Sequence, residues 1–145
     1  MFRLSISAAA LVAAITSNLG HAEISAGSAK DAADRTILMF GASWCAPCIA
    51  ELRNIPTLAS GARPDRIVIA WTDKGIRRYT LAVPGNVEIA SASDVQQMTR
   101  QYASGISGLP YSVMIDSHGH KCAEWTAGLS SEAISRMRVI CASTH

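Results

Sequence analysis

Two cysteines stand two residues apart in Trp44-Cys45-Ala46-Pro47-Cys48. Thiols at this spacing can close a disulfide, and at a helix start the positive end of the helix stabilises the thiolate that opens one. The stretch has the parts for thiol–disulfide exchange. It could also be half of a zinc site, but zinc needs two more ligands. A purely structural bridge is the third option, yet cysteines on adjacent turns restrict little chain. Redox chemistry is the reading that uses the spacing and the position together.

The elements around the motif suit that chemistry. Thr36-Ile37-Leu38-Met39-Phe40 reads as a buried strand leading into it, and Cys45–Ala59 as a helix leading out, with Ile49, Leu52 and Ile55 on one face. Pro56 should kink or end that helix. Arg66–Trp71 holds the unbroken apolar run Ile67-Val68-Ile69-Ala70, of the kind found in parallel strands covered on both sides. Gly75–Leu81 is ambiguous, with a short helix as one option. Val83-Pro84-Gly85-Asn86 is a turn, followed by a short strand at 87–90. Ser93-Asp94-Val95-Gln96 fits a capping box, and Val95, Met98 and Tyr102 share a face of the helix after it. Tyr111–Ile115 and Lys121–Trp125 form a hairpin about the turn Asp116–His120. Ser130 caps a last helix with Ile134, Met137 and Cys141 on its inner face. A βαβ unit, then a hairpin and a helix, predicts an α/β domain around one mixed sheet.

The 145 residues favour a single domain, and 49% hydrophobic with 17% charged residues is ample for one core. Residues 1–22 are set aside as a leader: Arg3, an apolar run Leu4–Ile15, and Gly20-His21-Ala22 before Glu23 read as a cleavable signal peptide. An uncleaved anchor is the alternative, though the run is shorter than the ~20 residues of a spanning helix. Either way the domain, 23–145, is expected outside the cytosol, in a periplasm-like compartment where unprotected cysteines pair. Residues 23–35 should hold a short helix or strand. Without the leader the chain has 12 basic and 11 acidic residues, a net of +1, and so no electrostatic footprint for nucleic acid. Lys74, Arg77 and Arg78 read as a solvated basic face.

Together these pieces resemble the thioredoxin superfamily, and within it the exported TlpA/ResA-like thiol–disulfide oxidoreductases. Three features carry the resemblance. The Cys45-to-Pro110 spacing is longer than in a minimal thioredoxin, as if by a short insertion between the second βα unit and the strand after Pro110. Leu109-Pro110-Tyr111-Ser112-Val113-Met114-Ile115-Asp116-Ser117-His118-Gly119 follows the subfamily's pattern around its conserved proline. Glu51 stands three residues after Cys48, where many members carry a glutamate. Two departures stand out. Met39 occupies the place, six residues before Cys45, where thioredoxins often bury an acid, and Pro56 lies farther from the motif than the family's helix proline.

The resemblance implies a thioredoxin-like fold, with a central mixed sheet flanked by helices, and a role for each site residue. Cys45 attacks a substrate disulfide and Cys48 resolves the mixed disulfide. Pro110 would be the cis-proline beside the motif, leaving the Leu109 backbone to pair with an extended substrate. Trp44 and Pro47 would complete the substrate-contacting surface. Glu51 would take the proton of Cys48, in place of the acid missing at Met39. Trp71 and Asp73 read as packing residues. In that topology Cys122 and Cys141 meet at the end of the sheet opposite the motif, and a bridge there would close a loop of about 20 residues, worth roughly 3 kcal/mol. His118 and His120 lie in a polar turn at that same end.

The implied function is reduction of specific protein disulfides, such as those met in cytochrome c maturation or metal-site assembly. It would be carried out by a monomer without cofactor or metal, supplied with electrons by a membrane-bound dithiol partner. A general disulfide oxidant is the alternative within the class, disfavoured because no His lies between the cysteines. A metal-delivery protein and a non-catalytic binding module are the alternatives outside it.

Overall fold

The structure, a computed structural model, describes residues 35–144. The leader expected over 1–22, and all but the last residue of the 23–35 segment, lie outside them. Five strands form one sheet: β1 (Thr36–Gly41), β2 (Arg66–Trp71), β3 (Val87–Ile89), β4 (Tyr111–Ile115) and β5 (Lys121–Trp125). Their spatial order is β3-β2-β1-β4-β5. The first three run parallel, and the β4–β5 hairpin is antiparallel to β1. Four α-helices connect or flank them: α1 (Ala46–Arg53), α2 (Ile55–Ala62), α3 (Ala92–Tyr102) and α4 (Ser131–Ala142).

The period-two alternation of strand side chains divides the core between the two faces of the sheet. Ile37 and Met39 of β1 point to one face, where they pack with Leu52 of α1, Leu58 of α2, and Ile134 and Met137 of α4. Leu38 and Phe40 point to the other, where they meet Val68, Val113 and the α3 residue Val95. The sheet is therefore covered by three helices on one side and one on the other. The β2-to-β4 connection holds the extra residues: a 3-10 turn at Lys74–Arg78, the edge strand β3, and α3.

Three expected features differ in detail. The single helix Cys45–Ala59 is two helices, and the second extends to Ala62. The break falls at Asn54, whose N–H still bonds back to Ala50 and Glu51. Pro56 enforces it. In a continuous helix its ring would clash with the Leu52 carbonyl, whereas in the first turn of α2 its missing N–H costs nothing. The start of α3 is capped by Ser91 rather than Ser93: Ser91 Oγ accepts the Asp94 N–H at 3.3 Å and donates to Asp94 Oδ2 at 2.6 Å. The Ser-x-x-polar spacing is the same, shifted two residues towards the N-terminus, with Asp94 in the place expected of Gln96. The ambiguous stretch Gly75–Leu81 resolves into the 3-10 turn and an extended tail.

The end of α4 is fastened twice. Arg138 Nε donates to the buried Asp65 Oδ2 at 2.7 Å, tying α4 to the turn before β2. Cys141, fully buried, is bridged to Cys122 of β5, 19 residues earlier. By the β1–β4 register, Ile115 lies opposite Thr36, so this bridge lies at the end of the sheet away from the motif. Replacing both Cys122 and Cys141 with Ala should lower unfolding free energy by about 3 kcal/mol in denaturant titration. The variant with Cys45→Ala and Cys48→Ala, denatured without reductant, should label no thiol; two labelled thiols would show that the bridge does not form.

Candidate active site

The site is built at the C-terminal ends of β1 and β2. Gly41 and Trp71 are register partners there, and Phe40 pairs with Tyr111, the residue after Pro110. The pairing of β1 with both neighbours thus brings three sequence-distant segments to one edge: the motif, the end of β2, and the Leu109–Pro110 segment. The Leu109–Pro110 peptide is cis, and Pro110 is buried while Leu109 is half-buried. Gly41 is required sterically. A Cβ there would sit 2.5 Å from Trp71 Cζ3 and 3.2 Å from Cys48 Cβ. The indole of Trp71 and the side chain of Cys48 therefore both border Gly41.

Cys45 is the N-cap of α1, one position before the helical turn in which it was expected, and its sulfur accepts the Cys48 N–H at 3.3 Å. It is bridged to Cys48. An N-cap sulfur faces the unpaired amides of the first turn, and a thiolate there gains a charge-assisted bond. The two cysteines are unequal: Cys48 is 0% exposed and Cys45 retains 4%. Cys45 is thus the more accessible of the two. Trp44 is 73% exposed and takes no part in the core; Pro47 is exposed beside it.

Glu51 lies one turn along α1 from Cys48 and is buried in the same apolar layer, at 5% exposure. Its Oε1 accepts the backbone N–H of Leu129 at 2.5 Å, and Oε2 has no protein partner among the described residues. Burial pushes its pKa from 4.5 up to about 7, against the opposing pull of the Leu129 amide. A carboxyl poised there can take and return a proton near neutral pH. Met39, also buried in this layer, offers no titratable group.

Two contributors escaped the sequence reading. Asp73, read as packing, instead accepts the Ser43 N–H at 2.9 Å and the Ser43 hydroxyl at 2.5 Å on Oδ2, and the Gly75 N–H at 2.8 Å on Oδ1. These bonds, that of the Ser43 hydroxyl foremost, hold its carboxyl below the usual range. It thereby fixes the loop that delivers Trp44 and Cys45. Asp-x-Gly is a local turn signal, but nothing local announces a partner 30 residues away. The second is the Leu129 amide, which carries no side-chain signature at all. Cys122, Cys141, His118 and His120 lie at the other end of the sheet and do not join the site. Among the described residues, no three His, Cys, Asp or Glu side chains are grouped to hold a metal ion.

No family model matches the sequence, and no curated protein is similar to it at the sequence level. Solved structures are. A putative thiol:disulfide interchange protein DsbE from Chlorobium tepidum superposes with TM-score 0.54 at 20% identity, covering 79% of this chain and 84% of that one. A thioredoxin-family thiol:disulfide interchange protein from the same organism gives 0.53 at 22%, over 79% and 84%. The exposed lipoprotein thioredoxin Etrx1 of Streptococcus pneumoniae gives 0.52 at 18%, over 77% and 88%. The chain has the thioredoxin fold.

Glu51 gives this thioredoxin fold a pH dependence of known sign. Below about pH 4.5 the carboxyl is protonated folded or unfolded, and burial has no differential effect. Between about 4.5 and 7 the unfolded chain ionises first, so stability falls as pH rises, by roughly 3 kcal/mol for a shift of this size. Glu51→Gln should remove most of that fall when denaturation midpoints are compared at pH 5 and pH 8.

Proposed function

We propose that this protein is an exported thiol–disulfide oxidoreductase that reduces specific protein disulfides. The observation that carries the reading is the cap: the Cys45 sulfur accepts the Cys48 amide at the helix start, with Cys48 buried behind it. Thiol:disulfide interchange proteins among the similar structures support it.

In the reduced state the Cys45 thiolate attacks one sulfur of a substrate disulfide. The substrate S–S bond breaks, and one substrate thiolate leaves and takes a proton. The Cys48 thiol gives its proton to Glu51 and attacks Cys45 Sγ, breaking the mixed disulfide and expelling the second substrate thiolate. Two electrons pass to the substrate, and the Cys45–Cys48 disulfide remains. A membrane-bound dithiol partner returns the electrons. Trp44, Pro47 and Leu109, backed by the buried cis-Pro110, form the surface on which an extended substrate segment lies, and the Leu109 backbone pairs with it. The leader over 1–22 carries the domain across the membrane, and the domain acts as a monomer without cofactor. Cytochrome c maturation and metal-site assembly are processes that need such a reductant.

Cys45→Ala should abolish reduction of insulin-type disulfides; equal activity of wild type and variant would overturn the reading. Cys48→Ala should accumulate substrate trapped on Cys45, visible as a band shift that reductant reverses. Glu51→Gln should slow the resolving step tenfold or more and erase the rise in rate near pH 7.

A further inference from the structure

A groove of about 1120 Å³ opens at the end of β2, between the Lys74–Arg78 turn and one face of α3 from Ala92 to Arg100. Its floor is apolar: Trp71, Tyr79, Leu81 and Val95. Ile89 of the edge strand is 39% exposed at its lip. The rim is basic. Lys74, Arg77 and Arg100 line it, all exposed, and among the described residues none of them has an ion-pair partner. Asp73 is the acid on its wall, and both its oxygens are engaged by Ser43 and Gly75. Asp94 of α3 lines the separate hollow beside Leu38 and Met98.

Two connections join the groove to the reacting disulfide. Trp71 forms part of its floor and also touches the space beside Gly41 and Cys48. Asp73 forms part of its wall and also holds Ser43, two residues before Cys45. Whatever lies in the groove is a neighbour of the site.

We propose that the groove docks an apolar, acidic segment of the protein whose disulfide exchanges with Cys45. The inference rests on the function proposed above and adds the chemistry of its substrate. The volume exceeds that of an ordinary small-ligand pocket and suits a peptide with two or three large side chains. The cations supply complementarity, which selects partners and speeds encounter more than it tightens binding. The mature chain is nearly neutral, so the positive rim is a local device and not the overflow of a basic surface. Docking at a second point also raises the effective concentration of the substrate disulfide at Cys45. The Lys74-Arg77-Arg78 cluster, read from sequence as a solvated face, becomes a recognition element in part.

The test uses two cysteine-free peptides of equal length, each with Leu and Phe side chains, one carrying Glu and Asp and the other Lys in their place. Calorimetric titration of the oxidised protein should show the acidic peptide binding at least tenfold more tightly, with the difference shrinking as salt rises. Arg77→Glu with Arg100→Glu should reverse the preference; the single Arg77→Glu, at an exposed position, should reduce it if the double variant folds poorly. Equal binding of the two peptides, or a preference unchanged by charge reversal, overturns the proposal. Turnover of the uncharged hydroxyethyl disulfide by the wild type is read separately. Its absence would overturn the exchange function while leaving the binding result to stand or fall by itself.

Discussion

Hydrogen-bonded pairing of β1 with β2 on one side and β4 on the other is the constraint from which the site follows. The parallel partner places Trp71 level with Gly41, and the antiparallel partner places Tyr111 level with Phe40. A slip of one residue in either ladder would turn the apolar side chains to the wrong face. It would also separate the cysteines from Trp71 or from Pro110. The register is held because both faces of β1 are buried, with Ile37 and Met39 on one and Leu38 and Phe40 on the other. Position of the Cys45 sulfur is thus a by-product of core packing.

The layer behind Cys48 shows how a buried acid can change place without leaving the neighbourhood. β1 carries no acid beneath the motif, where Met39 is apolar, and the buried carboxyl of this layer lies on the helix above, at Glu51. A strand position would fix the carboxyl rigidly in the sheet. On α1 it is held by one amide of the loop before α4. The same carboxyl therefore ties α1 to the loop before α4, and its proton state bears on that tie.

Much of this was legible in the amino-acid sequence because the signals are local. The unbroken run Arg66–Trp71, the hairpin about Asp116–His120 and the Ser130 cap all lie where their residue patterns place them. The meeting of Cys122 with Cys141 follows from strand direction and helix length once the topology is assumed. Local patterns misled where two signals competed within a few residues. Ser91 and Ser93 are both caps in composition, and only the one three residues before Asp94 makes the bond. Pro56 announces a break but not that it falls two residues earlier, at Asn54. Contacts between a side chain and a distant backbone amide, such as Glu51 with Leu129, leave no trace in any window of sequence.

The Cys122–Cys141 bridge lies in the same apolar layer as the motif, at its far end, together with Arg138 and its clamp on Asp65. The opposite face is covered by α3 alone, with no covalent tie and Val95 as its one fully covered side chain. The molecule is thus laminated unequally, with a rigid backing and a thin veneer. Small openings of the native state have their lowest free energy where few contacts must be given up. The veneer, which also forms one wall of the basic groove, is where the fold yields first, and the cysteine-bearing side keeps its shape while it does.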